Sequence, residues 1–303
     1  MFEVLFSERG LSLERLRVLI EVQDAGSIAN TAPGDETRHS QYSRQLRELS
    51  EFFGCELTQR SGKELKLTRD GTQLAELIRP LLKGLLDFHS QCRGQETIFR
   101  IGAGDSLIHW LVIPRIGQIS KELDQIRFET DNLRTNEIVE QLADGRVEFG
   151  LIRKNGVAAG LKSTSLGSLE YVAVVPVGLA GKTRRLTLER FFCELPMAMQ
   201  VTDGQFSEHL RRLALAQNPS FAPALGCQSF PQTIAAVRSG QFAAIVPTLA
   251  LDDLKDEKIQ KISGGLLRSL QRDIVLAWNP RVIKIRVHAE KVLSKMQMHF
   301  RFR

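Results

Sequence analysis

The sequence predicts an α/β protein in which an N-terminal all-α winged helix-turn-helix and a long linker helix precede a two-lobed α/β domain. Three observations predict it. Apolar residues recur at helical spacing through successive segments up to about residue 91, a short basic hairpin interrupts them, and beyond Gly94 short β-rich runs alternate with helical segments. At 303 residues the chain is too long for one ordinary core. The expected parts are a head at 1–67, a linker and dimerisation helix at 68–93, and a two-lobed domain at 94–303. Lobe I takes about 94–170 and 274–303, and lobe II about 171–273.

The first helix is expected over residues 12–24, with Leu13, Leu16, Leu19 and Ile20 at helical spacing and Ser12 as its N-cap. Gly26 breaks it, Ser27 caps a short second helix, and Pro33, Gly34 and Asp35 force a turn. A third helix runs from about Thr37 to Phe53. Tyr42, Leu46, Leu49 and Phe53 fall on one stripe facing a core, which turns Ser40, Arg44, Arg47 and Glu51 outward with Gln41 and Ser43 on the flanks. No carboxylate lies between Arg38 and Arg47. An extended pair, CELTQRS and ELKLT, follows, and Arg60, Lys63 and Lys66 make it a basic wing. Arg can donate to guanine edges or phosphates, and Ser and Gln can bond base edges or backbone, so a helix with this face suits the major groove. The same residue types also suit a plain solvated face.

From Thr68 to about Gln91, Leu74, Leu77, Ile78, Leu81, Leu82, Leu85 and Leu86 form a stripe broader than one small head can cover, which implies a partner helix. Pro80 inside it must kink the helix or sit where its missing hydrogen bond is tolerated. Beyond Gly94, TIFRIGA, IRFETD and VEFGLI alternate with helices at about 107–121 and 135–144. PMAMQV, ALGCQ and FAAIVP form a second set with helices at about 206–217 and 231–239. Two crossings between lobes follow if DIVLAW rejoins the first sheet.

The net charge of +6 does not locate a nucleic-acid surface, because residues 1–93 hold 13 Lys+Arg against 14 Asp+Glu. Cys55, Cys92, Cys193 and Cys227 are widely spaced with no metal-ligand pattern and read as reduced packing thiols; a redox role for one stays open. No apolar run reaches the roughly 18–20 residues of a membrane span, and the opening segment lacks the basic region of a secretory signal, so a cytoplasmic protein is expected. Ser106 and His109 crowd Asp105, but no GxSxG elbow, P-loop, HExxH or complete dinucleotide fingerprint occurs. Neither an enzyme nor a cofactor or metal site is expected.

AGSIANTA, SRQLRELSEFFGCEL and LTRDG, at these spacings, resemble the opening of LysR-type transcriptional regulators. FRIGA, EQLADGRVEFGLI, SFPQTIAAVRSGQFAAIVP and DIVLAW resemble their effector-binding domain, in the right order, so the likeness covers residues 12 to about 298. The resemblance implies a periplasmic-binding-protein-like effector domain, a homodimer or homotetramer, a double-stranded DNA operator and a small-molecule effector between the lobes. An effector-independent regulator is the alternative, and a cytoplasmic solute-binding protein is a remoter one. Carried over, the DNA contacts fall on His39, Ser40, Ser43 and Arg44, with Arg60 and Lys63 at the wing and Arg38 and Arg47 beside them. Two departures stand out: His39 and Ser40 replace the family's usual Gln-Pro pair, and Pro33, Gly34 and Asp35 shorten the second helix. The implied cleft is lined by Gly104, Asp105, Ser106, Asn132 and Thr135 of lobe I, with Thr202, Asp203 and Phe230 in closing loops of lobe II. Ser106 and Thr135 at helix N-termini suit a carboxylate, but Asp105 opposes a simple anion, so an effector carrying an amine or several hydroxyls is at least an equal expectation.

Overall fold

The computed structural model describes residues 2–62, 64–180, 187–202 and 204–302. A short α1 (Val4–Ser7) leads into α2 (Leu13–Ala25), α3 (Ile28–Thr31) and α4 (Glu36–Phe53). Local chemistry sets each boundary. Ser12, Ser27 and Asp35 accept from the backbone N–H groups of Arg15, Asn30 and Arg38, and α2 and α4 end at Gly26 and Gly54, both in the left-handed region. Leu16, Leu19, Val22, Ile28, Tyr42, Leu46 and Leu49 close the core of the head. The wing is the antiparallel pair β1 (Thr58–Ser61) and β2 (Glu64–Leu67).

Thr68 caps α5 (Arg69–Cys92), and a Cβ at Gly71 would lie 2.2 Å from the Leu57 carbonyl, so only glycine lets this helix start against the base of the wing. The apolar stripe divides into two faces. Leu74, Ile78 and Leu82 pack against the head, whereas Leu77, Leu81, Leu85, Leu86 and Phe88 stay 44% to 62% exposed. Pro80 lies inside the helix and is buried beside Gly145.

Lobe I begins with β3 (Thr97–Ala103), α6 (Asp105–Leu107), a π-helical turn at Ile108–Val112 and α7 (Ile113–Lys121). It continues through β4 (Ile126–Asn132), α8 (Thr135–Ala143), β5 (Phe149–Arg153) and β6 (Lys162–Leu169). Lobe II holds β7 (Tyr171–Pro176), α9 (Val177–Ala180), α10 (Leu188–Glu194), β8 (Met197–Gln200), α11 (Gln205–Gln217) and β9 (Leu225–Cys227). It closes with α12 (Phe230–Arg238), β10 (Ala243–Pro247) and β11 (Ile259–Ile262). The chain then returns to lobe I through β12 (Arg272–Trp278), α13 (Pro280–Ile285) and α14 (Ala289–His299).

The sheet orders are β4-β3-β5-β12-β6 in lobe I and β11-β7-β10-β8-β9 in lobe II. The DIVLAW strand lies antiparallel between β5 and β6, with Ile274 opposite Arg153 and Arg272 opposite Leu169. The lobes are therefore joined by two crossings, one at residues 169–171 and one just before Arg272. Parallel β3, β4 and β5 point their carboxyl ends toward the crossings, the edge at which open α/β sheets bind ligands.

A buried charge cluster fastens α5 to lobe I. Arg286, 6% exposed, donates to Asp87 through Nε (2.5 Å) and Nη2 (3.0 Å), to Glu148 through Nη1 (2.5 Å) and to the Ile98 carbonyl (2.7 Å). Glu148 also accepts from Lys83 Nζ at 2.6 Å and from the Arg100 backbone at 2.8 Å. Burial holds the Lys83 ammonium below the ordinary lysine range despite Glu148 beside it. Alongside, Gly84 lets α5 approach α13, since a Cβ there would lie 2.8 Å from Ile285 Cγ2.

Asp87→Ala, which strips Arg286 of its bidentate partner, is expected to cost about 3–5 kcal/mol of unfolding free energy, measured by urea denaturation. A loss within about 1 kcal/mol, the range of an exposed pair, would show the junction to be solvated.

Candidate nucleic-acid interface and interlobe cleft

On α4, Ser40, Gln41, Arg44 and Arg47 are exposed and Ser43 is half-buried. Among the described residues Arg44 and Arg47 have only long i,i+4 ion pairs, with half-buried Glu48 at 3.7 Å, which Arg15 also holds, and with exposed Glu51 at 3.9 Å. Such pairs contribute little, so either guanidinium can exchange its carboxylate for a phosphate or a guanine edge at small cost. Arg60 is exposed on β1, and Lys63 lies outside the described residues.

Arg38 and His39 are already engaged within the head. Arg38 donates to the Tyr42 hydroxyl from Nε (3.1 Å) and Nη2 (2.9 Å), and that hydroxyl donates to Glu21 of α2. His39 Nε2–H donates to the Ala32 carbonyl at 2.7 Å, across the turn of Pro33, Gly34 and Asp35. Gly34 holds a φ of 82° and Asp35 caps the Arg38 N–H at 2.9 Å. The two departures seen in the sequence are thus one feature, because the histidine side chain closes the altered turn.

The cleft residues expected in lobe I lie at one edge. Gly104 caps α6, Asp105 and Ser106 open it, Asn132 ends β4, and Thr135 opens α8 with its Cγ2 against the backbone of Gly156. One Asp105 oxygen, Oδ2, is buried without a hydrogen-bond partner among the described residues. His109 Nε2 sits 3.7 Å from Asp253 of lobe II, and Trp110 Nε1 donates to the same carboxylate at 2.9 Å, so this segment spans the lobes.

In lobe II, Thr202 Oγ1 bonds Ser207 Oγ at 3.0 Å and lines a crevice of about 520 Å3 against Arg211 and Phe221. Asp203 lies outside the described residues. Phe230 is the first residue of α12, not a loop residue, because Ser229 caps the helix, and it is 6% exposed. It packs edge-on against Phe206 at 5.1 Å, which stacks on Tyr171 at 4.4 Å.

Residues not foreseen from the sequence complete this edge. Arg153, at the end of β5, donates across the lobes to Gln205 of α11. Arg272, at the start of β12, donates to His209 Nδ1 at 3.2 Å, which requires the neutral Nε2–H tautomer. Burial and the nearby Arg272 both lower the Arg153 pKa, and burial, Arg272 and Arg212 lower that of His209. Burial raises the Tyr171 phenol well above its ordinary range although Arg272 and Arg153 pull against it. Arg153, His209 and Arg272 are 56 to 119 residues apart in the chain, and only the β5–β12 register and the stacking of the lobes bring them together.

Because the folded state holds His209 below its ordinary pKa, the unfolded chain binds the proton more readily. Stability is expected to be retained above the ordinary histidine range and to fall as pH drops through the lower folded value. Urea midpoints at pH 7.5 and pH 5.5 are expected to converge in His209→Gln relative to the parent; an unchanged gap would contradict the assignment.

Comparison with known proteins agrees with this architecture. Residues 13–72 match the family described as bacterial regulatory helix-turn-helix protein, lysR family, and residues 93–283 match the LysR substrate binding domain. The regulator TtuA of Agrobacterium vitis is 27% identical over 172 residues, 55% of this chain and 57% of that protein, so the match spans just over half of TtuA. A full-length OxyR variant from Pseudomonas aeruginosa superposes with a TM-score of 0.62 at 15% identity, covering 94% of this chain and 95% of that one. Full-length CbnR in complex with its target DNA superposes at 0.56 and 17% identity, covering 96% and 99%.

Proposed function

This chain belongs to the LysR family of bacterial regulatory proteins, and we propose that it is a sequence-specific transcription regulator whose grip on its operator is set by a small molecule held between the lobes. The observation that carries the reading is the outward face of α4, where Ser40, Arg44 and Arg47 stand exposed above Arg60 of the wing. Phosphate and base contacts fall on those side chains and on Ser43. Arg38 and His39 act one step back, holding α4 at its angle through Tyr42 and the Ala32 carbonyl. The effector touches the edge formed by Gly104, Asp105, Ser106, Asn132, Thr135 and Thr202, with Phe230 in the wall behind.

The exposed leucine face of α5 pairs with the same helix of a second copy, which sets two heads on one operator. No described helix is long and apolar enough to cross a membrane. The protein acts in the cytoplasm, where its operator is, as a regulator and not as an enzyme, a reading supported by the match of residues 13–72 to a regulatory helix-turn-helix family.

Footprinting on the DNA upstream of its own gene is expected to show protection that weakens steeply with salt, as phosphate contacts release counterions. Arg44→Ala is expected to lower operator affinity by about 1–3 kcal/mol and to relax preference at one base position. His39→Ala is expected to weaken binding to all sequences alike, since it loosens the turn without removing a base contact. No protection at low salt would sink the reading.

A further inference from the structure

Arg153 and Arg272 are half-buried guanidinium groups with no carboxylate within ion-pair distance among the described residues. Arginines so placed are ordinarily paired, because an uncompensated buried charge is costly. Here their partners are neutral: Gln205 Oε1 accepts from Arg153, while His209 Nδ1 accepts from Arg272 Nη2 and the Ser269 and Gln271 carbonyls accept from its Nη1. The β5–β12 register sets Arg153 opposite Ile274, and Arg272 lies two residues along on the same face; burial and then Arg272 lower the Arg153 pKa, and both guanidiniums act on the Tyr171 phenol. Helices α11 and α12 begin at Gln205 and Phe230, so their positive ends add to the field at this edge. The local surplus is cationic, and Asp105, with one oxygen buried and unpartnered, is not paired with either arginine.

An apolar surface adjoins the charge. Tyr171 and Phe206 stack at 4.4 Å, Phe230 backs them, and Phe206 keeps part of its ring exposed. The Tyr171 hydroxyl has no hydrogen-bond partner among the described residues. Because Gln205 precedes Phe206, the acceptor now on Arg153 and the exposed ring are adjacent in the chain.

We infer that the effector is an organic acid with a flat apolar body, its carboxylate bridging Arg153 and Arg272 in place of the Gln205 amide, and its body lying on Phe206 with the Tyr171 hydroxyl in reach. The inference rests on the interlobe effector reading above and replaces the amine or polyol favoured by Asp105 alone. A carboxylate brings a countercharge and two acceptor oxygens to the two guanidiniums, whereas an amide of the same shape brings one neutral acceptor and an ammonium none. Binding also draws Arg153 of lobe I away from Gln205 of lobe II, exchanging a direct bond between the lobes for one through the ligand.

The test is calorimetric titration of the full-length protein with benzoate, salicylate, phenylacetate and cinnamate, each matched to its carboxamide, with benzylamine as the cationic isostere. At least one acid is expected to bind roughly tenfold or more tightly than its amide, with benzylamine showing no binding. Arg272→Gln and Arg153→Gln are each expected to erase that preference, with thermal midpoints of the unliganded variants reporting whether they fold. The acid-to-amide comparison on the unaltered protein decides the matter even if both variants misfold. Equal binding of acid and amide, tighter binding of benzylamine, or no binding by any acid overturns the inference. Tight binding of an amide or amine would do so while leaving the interlobe site standing, whereas loss of operator protection bears on the regulator reading alone.

Discussion

The structure turns on a buried arginine. Arg286 is carried by α13, at the end of the last return into lobe I, and it reaches Asp87 of the linker helix and Glu148 of the loop before β5 in one contact set. Three segments far apart in the chain meet there; Lys83 shares Glu148 Oε1 with the guanidinium, and the Arg100 N–H donates to Oε2. Such clusters contribute little net stability compared with apolar packing of the same volume. Their effect is positional: every misplacement leaves a charge unpaired, so α5 has one register against lobe I. Phe99 beneath the guanidinium, 4.8 Å from its carbon, closes the remaining side.

About two turns from Asp87 toward the head, Arg79 does the same for the other end. It is 6% exposed and grips Asp24 of α2 through two bonds of 2.7 and 3.0 Å, with Gln23 at 2.9 Å. The helix that carries the exposed leucine face is therefore fastened at both ends, to the head by Arg79 and to lobe I by Arg286. Among the described residues lobe II has no such fastening to the linker: the two strand crossings and the bonds of Trp110 to Asp253, Arg153 to Gln205 and Arg272 to His209 join it to lobe I. On the function proposed above, a ligand that rearranges the bonds between lobes would move lobe II against a frame that includes the DNA-binding head, and occupancy of the cleft would reach α4 by that route.

Local features of the fold were legible in the sequence and distant ones were not. Ser12, Ser27 and Thr68 announce their helices because a cap is a contact between residues three apart. The outward face of α4 follows from a period of 3.6, and the β-rich runs beyond Gly94 from their composition. The linker stripe read as a single face, since periodicity does not say that Leu74, Ile78 and Leu82 are covered by the chain's own head. The π-helical turn at Ile108–Val112 left no mark in the pattern of apolar residues. In the cleft, the resemblance supplied the edge, but Arg153, His209 and Arg272 become one site only through strand register and lobe packing. The sequence brought Asp105 forward as a charged group of the cleft, whereas the two arginines of the same edge are visible only in the folded chain.

The continuity of linker helix and lobe I is the claim on which the transmission of a signal depends, and native-state hydrogen exchange tests it directly. If the Arg286 cluster makes them one body, the amides of residues 83–92 share the protection of β3 and β5, and all of them lose it together in Arg286→Met. Exchange of residues 83–92 at the fast rate of an isolated helix, with β3 and β5 still protected, would contradict it.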